Sequence, residues 1–133
     1  DLEFCERHSI GVTPYQPLQG GLLTGKYTRG EATPSDSRAA EKPQCMWEFG
    51  DELFDKLEKI DALAAEIDVP PAQYALAWAL TQPAMSSLVV GVKSLAQIQD
   101  AVEAVNVEIP TDHLSQLDEI CPPPWRQPDP IRG

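Results

Sequence analysis

The chain has 133 residues, 42% of them hydrophobic and 23% charged, which suits one domain with a buried core and excludes a disordered polymer. Its net charge of −11 excludes a nucleic-acid surface and attachment to an anionic membrane, because both need clustered Lys and Arg. The charge favours an acidic protein kept from its own copies by repulsion.

Residues 1–8 (DLEFCERH) read as the end of a helix, with Leu2 and Cys5 on one side. Ser9–Tyr15 (SIGVTPY) is a short strand that ends near Pro14, which cannot donate to a ladder. Residues 16–46 form a long loop broken by Pro17, Gly20, Gly21, Gly25, Gly30, Pro34 and Pro43. Its Gly- and Leu-rich part, up to about residue 28, is expected to be ordered, and its polar part to be mobile like a lid. A helix is predicted over 51–67, where Leu53, Leu57, Ile60, Ala64 and Ile67 make one apolar stripe and Asp51 and Glu52 suit the first turn. Pro71 opens a second helix (AQYALAWALTQ), apolar on nearly every side and so expected to be buried. Ser87–Val92 (SLVVGV) is a continuous apolar run, the pattern of a strand covered on both faces. Residues 95–105 form an amphipathic helix with Leu95, Ile98, Val102 and Val105 on one side, and Thr111 is the expected cap of a last helix carrying Leu114, Leu117 and Ile120. The tail over 122–133, with five prolines, is expected to be extended and loose. Strands separated by helices imply an α/β fold with a parallel sheet, but two strands cannot close a barrel that takes ~250 residues.

The three cysteines, Cys5, Cys45 and Cys121, lie far apart without a CxxC, which argues against a disulfide framework or a zinc site and for a reducing, cytoplasmic setting. His8 and His113 are also far apart and are expected to be solvent-exposed, not metal ligands. No apolar run reaches ~18 residues, so no membrane-spanning helix is expected. No stretch reads as a signal peptide, and a chain that begins at Asp1 without Met reads as trimmed or incomplete.

Two motifs are placed to carry chemistry. YQPLQGGLLTGKY (Tyr15–Tyr27) follows a strand directly. Its glycines let backbone N–H groups approach a ligand, Lys26 offers a point charge to a phosphate, and Tyr15 offers an aromatic face. The spacing is neither GxxxxGK[ST] nor GxGxxG, and a Gly-rich turn with a surface lysine accounts for it equally well. GVKSLAQIQD (Gly91–Asp100) joins the apolar run to a helix, whose N-terminus favours anions, and Lys93 there would suit a ribose 2′-phosphate. Ser94 and Gln97 also form a capping box, which needs no ligand. Both motifs fall at the C-terminal ends of strands, the face where barrel loops often make a phosphate site.

The ordered set YQPLQGGLLTGKY, Ser37–Arg38, PPAQYALAWAL, SSLVVGVKSLAQIQDAV and IPTDHLSQLDEI resembles the C-terminal half of aldo-keto reductases, closest to the bacterial branch that is similar to potassium-channel β subunits. The resemblance covers about residues 1–121 and implies a partial (β/α)8 TIM barrel: the last two strands with their helices and a C-terminal helix. It implies reduction of small aldehydes or ketones with NADP (NADPH), and less readily with NAD. In the family pattern Tyr15 would stack on the nicotinamide, and Gln16, Pro17, Leu18 and Gly20 would line the pyrophosphate path. Leu22 and Lys26 would belong to the loop folding over it, and Arg38 would lie along the cofactor. Gly91, Lys93, Ser94 and Gln97 would hold the adenosine phosphate, with Asp100 near the adenine.

Two positions depart from the pattern. Ala101 stands where the family has an adenine-contacting Asn, and Pro70 replaces a capping Ser or Thr, weakening that helix start by up to ~1 kcal/mol. The family's catalytic Tyr, Lys, Asp and His belong to its N-terminal half. Tyr15, Tyr27, Tyr74, His8 and His113 do not stand in their context, so no catalytic residue is assigned and this chain alone is expected to be inactive. The expected function is therefore the cofactor-holding part of an NADP-dependent oxidoreductase. The alternatives are a non-catalytic nucleotide-binding or regulatory module similar to channel β subunits, and an inactive remnant whose open barrel edges invite self-association.

Overall fold

The computed structural model describes residues 2–45 and 49–122, with Cys45 described in its backbone only. The Pro-rich tail lies outside the described residues from position 123 on. Among the described residues six α-helices follow one another: α1 (Leu2–Arg7), α2 (Arg38–Glu41), α3 (Asp51–Glu66), α4 (Pro71–Leu80), α5 (Leu95–Glu103) and α6 (Thr111–Ile120). Short 3-10 turns occupy Gln19–Thr24, Pro43–Cys45 and Ala104–Asn106.

The helices follow the periodicity. Along α3 Leu57 and Ala64 of the apolar stripe are buried, with Leu63 beside them, and Glu52 pairs with Lys56 one turn on, in the favoured Glu-before-Lys order. Pro70 occupies the N-cap of α4 without a side-chain bond, and the helix buries Tyr74, Ala75, Leu76 and Ala77. One correction concerns α6. Thr111 is its first residue, not its cap; Pro110, held at φ −58° and ψ 144°, takes the cap position and makes no side-chain cap bond.

The expected strands are the larger correction. Among the described residues neither Ser9–Tyr15 nor Ser87–Val92 forms a strand; residues 12–15 meet residues 85–89 at two isolated parallel bridges, Val12 to Met85 and Tyr15 to Val89, and Thr13 Oγ1 lies 3.1 Å from Ser87 Oγ. The bridges explain why. Three steps on the first segment face four on the second, so an extra residue interrupts the register as a bulge does. Pro14, with no N–H to give, still accepts from Val89 N at 2.9 Å. Val12 N donates to Ala84 at 2.8 Å, and Ser86 N returns a bond to Val12 at 2.9 Å. The parallel adjacency that the α/β reading requires is thus present, while the remainder of a barrel sheet is not contained in these residues.

Two apolar clusters hold the helices. One gathers Leu22, Tyr27, Ala39 and Leu57, with Phe49 and Phe54 packed against it. The other joins Leu63, Ala64, Tyr74 and Leu117 between α3, α4 and α6. Within the polar part of the long loop two residues are buried: Ser37, fully, which caps α2 by accepting from Ala40 N at 3.3 Å, and Ala39, which enters the first cluster. By contrast, the apolar side of α5 is open. Leu95, Ile98, Val102 and Val105 are all exposed, Leu95 by 70%. An apolar groove of about 450 Å³ runs between α4, α5 and the second extended segment, lined by Leu76, Leu80, Leu88, Val90, Ile98 and Val102.

Candidate functional site

The Tyr15–Val89 bridge aligns the two motifs. Because the segments run parallel, the chain leaves both at the same end, placing residues 16–18 beside the approach to Gly91 and Lys93. Tyr15 itself is 77% exposed at this end, so its ring has a free face.

The turn that follows is tight and unusual in its backbone. Gln16 and Gln19 adopt left-handed φ values of 57° and 49°, a conformation that costs a non-glycine residue on the order of 1 kcal/mol and collects at functional turns. Gln19 N bonds back to Gln16 at 2.9 Å, and Gly21 N to Leu18 at 2.9 Å, winding the chain into the 3-10 turn. Gly21 has φ 96°, and a Cβ there would come within 2.8 Å of Lys26 Cε and Nζ. The lysine therefore lies folded across bare backbone, with its ammonium 5.4 Å from the Tyr27 ring centre. Pro17, Leu18 and Gly20 are half-buried along this turn. Leu22 points its side chain into the first apolar cluster at 6% exposure, which leaves its backbone as what it can offer a ligand.

The second motif forms the Ser94 half of the expected capping box, while the Gln97 side chain reaches past the cap to Lys93 N instead of Ser94 N. Ser94 Oγ accepts from Gln97 N at 3.3 Å, and Gln97 Oε1 accepts from Lys93 N at 2.7 Å. These bonds do not exhaust either side chain, since a hydroxyl that accepts can still donate and the Gln97 amide keeps its NH₂ group. A Cβ built on Gly91 would meet nothing within 4 Å, so the backbone there faces open space. Asp100 lies exposed further along α5.

A third segment joins them. Lys93 Nζ lies 2.8 Å from Glu41 Oε1, at the end of α2. The lysine holds the Glu41 carboxyl below the usual carboxylate range, with Lys42 and Arg38 adding to the effect. Arg38, exposed at the start of α2, is brought to the same end of the molecule by this pair. The structure thus gathers Tyr15–Lys26, Arg38 and Gly91–Gln97 around one end of the paired segments. Glu41 was not legible as part of this site: its partner is 52 residues away, and no local pattern marks it.

These residues fit an extended, phosphate-bearing, planar-ringed ligand. An open aromatic face, a lysine over bare glycine backbone, and a lysine at a helix start beside unobstructed backbone are the groups such a molecule requires. Among the described residues no group of three or more His, Cys, Asp or Glu side chains is placed to hold a metal ion, and no helix is long and apolar enough to cross a membrane.

His8 is exposed and lies against Phe4, with ring centres 4.2 Å apart. The expectation of exposure fails for His113, which is 3% exposed and set between Tyr74 and Glu66. It stands one turn before Leu117 on the buried side of α6, so the helix period carries it inward.

The chain is 40% identical over 122 residues to a probable voltage-gated potassium channel subunit beta of Arabidopsis thaliana, covering 90% of this chain and 37% of that protein. It is 30% identical over 119 residues to the uncharacterized oxidoreductase YrpG of Bacillus subtilis (strain 168), covering 86% and 33%. It is 29% identical over 127 residues to the L-glyceraldehyde 3-phosphate reductase of Escherichia coli O157:H7, covering 89% and 35%. The chain thus spans about a third of the length of the curated relatives it matches. Residues 2–122 match the family described as Aldo/keto reductase family, and the chain belongs to that family.

Proposed function

We propose that this chain is the cofactor-holding part of an NADP-dependent oxidoreductase that reduces small aldehydes or ketones. The observation that supports the reading best is the convergence of Tyr15–Lys26, Arg38 and Gly91–Gln97 at one end of the paired segments. The bound dinucleotide supplies the hydride. The residues of this chain bind and orient it. Tyr15 gives the nicotinamide a flat surface, the turn from Gln16 to Gly20 follows the pyrophosphate, and Lys26 closes from above as a point charge. Lys93, with the Ser94 hydroxyl and the Gln97 amide, meets the adenosine end and favours a 2′-phosphate. Asp100 would be the polar group offered to the adenine, and Ala101 would add no polar contact to it. In this reading no residue of the chain is assigned as proton donor, and the proton transfer is proposed to fall to other residues of the complete protein.

Titration with NADPH, followed by the emission of the reduced nicotinamide, tests the reading. A saturable change, weakened in Lys26→Ala, is expected. No change up to millimolar NADPH would overturn it. The relative named as a probable potassium channel subunit beta favours a second reading, in which the same site senses the cofactor without turnover. Carbonyl reduction by the complete protein, measured as NADPH oxidation, separates the two. The open face of α5 further supports self-association of the isolated chain.

A further inference from the structure

Resting on the cofactor site just described, we propose that Glu41 is a specificity residue set against Lys93. By holding the lysine's charge it weakens the site's preference for a 2′-phosphorylated dinucleotide over the unphosphorylated one.

The case begins with position. Lys93 is the one group of the Gly91–Gln97 motif with a full positive charge, and its ammonium is bonded to Glu41 Oε1 at 2.8 Å. Glu41 is not carried on a loose chain. It ends α2, whose start is fixed by the fully buried Ser37 and whose Ala39 lies in an apolar cluster. Both partners remain accessible, with side chains 68% and 49% exposed, so a ligand can reach them without opening a core.

The pair reads the two ligands differently. A ribose 2′-hydroxyl can donate to the carboxylate and accept from the ammonium, satisfying both groups without separating them. A 2′-phosphate can only accept. It finds the lysine already neutralised and a carboxylate beside it, and must either push Glu41 away or bind against its charge. In a water-like surround a unit charge at ~4 Å changes affinity about fivefold, and more for a dianion. Glu41 therefore offsets much of what Lys93 contributes, and the pair makes the site tolerant of both NADPH and NADH.

The test is a titration of the folded chain and its variants with NADPH and with NADH, followed by nicotinamide emission, with helicity checked by circular dichroism. Glu41→Gln should tighten NADPH about fivefold or more and leave NADH within about twofold, because only the dianion is relieved of repulsion. The gain should shrink in high salt as screening grows. Glu41→Ala, which carries no hydrogen-bonding group, must shift the ratio the same way, and Lys93→Gln must shift it the other way. If the wild type binds both cofactors and neither Glu41 variant changes their ratio, the specificity role is overturned and the cofactor site stands. If the wild type and both Glu41 variants are folded and bind neither cofactor, both are overturned.

Discussion

The Tyr74 hydroxyl lies 3.1 Å from Nδ1 of His113, and the two side chains are 1% and 3% exposed. On the other side of the ring, Nε2 faces Glu66 Oε2 at 3.3 Å. One imidazole therefore ties α3, α4 and α6 together, with Nδ1 accepting from the tyrosine when Nε2 carries the proton. Replacing His113 with Ala strands a buried hydroxyl and opens a cavity in the second apolar cluster. The expected loss is about 2–4 kcal/mol by urea denaturation. A loss below ~0.5 kcal/mol, the size of an ordinary surface substitution, would show that the ring does not hold these helices.

The same tyrosine sets an alkaline limit. Burial, with Glu66 and Asp112 adding their charge, pushes the Tyr74 hydroxyl up from 10.0 to about 12. The folded state then keeps a proton that the unfolded chain releases. Its contribution is complete below pH 10 and is lost as pH rises through about 12. Thermal melting between pH 9 and 12 should fall more steeply for the wild type than for Tyr74→Phe. Parallel curves would assign the alkaline loss to other groups.

Arg29 fastens the end of the Gly-rich motif to α3. Its guanidinium reaches Glu58 at 2.9 Å, Asp51 at 3.0 Å and also Asp55, and it sits 5.6 Å from the Phe54 ring centre. Glu58 first and then Asp55 raise its proton affinity above the ordinary value. Arg29→Met should leave helicity intact while amide exchange over residues 26–31 quickens severalfold, as read by mass spectrometry. Arg29→Lys should restore only part of the protection, because an ammonium cannot serve three carboxylates from one plane. Unchanged exchange in Arg29→Met would remove the clamp.

Gly21 couples backbone to charge. An alanine there meets both the left-handed φ and the Lys26 side chain. The strain alone should cost about 1 kcal/mol, lowering the melting temperature by a few degrees. The displaced lysine should weaken NADPH further than that strain accounts for. Equal affinity in Gly21→Ala and wild type would show that Lys26 need not lie across the turn.

What could be read beforehand was local. The α3 stripe, the Pro71 start of α4 and the Ser94 cap of α5 all rest on interactions within a few residues, and each was legible in that spacing. The two expected strands did not form, because whether a run makes a ladder depends on its neighbours, and the extra residue facing Val12–Tyr15 leaves no local mark. Thr111 looked like a cap, but the preceding Pro110 already held the extended geometry that a cap requires. His113 was expected outside for want of a second ligand near it, although its spacing from Leu117 and Ile120 pointed inward. The Arg29 clamp and the Lys93–Glu41 pair bridge distant segments, and pairing across such distances is written in the fold alone.

The open face of α5 has a colloidal consequence. Its apolar side chains meet water on a chain whose net charge of −11 sets like molecules against one another at neutral pH. Acidification toward the isoelectric point near 4.4 removes that barrier while leaving the face bare. Light scattering should therefore show particles growing as pH falls from 7 toward 5, and Val102→Lys on α5 should delay the growth.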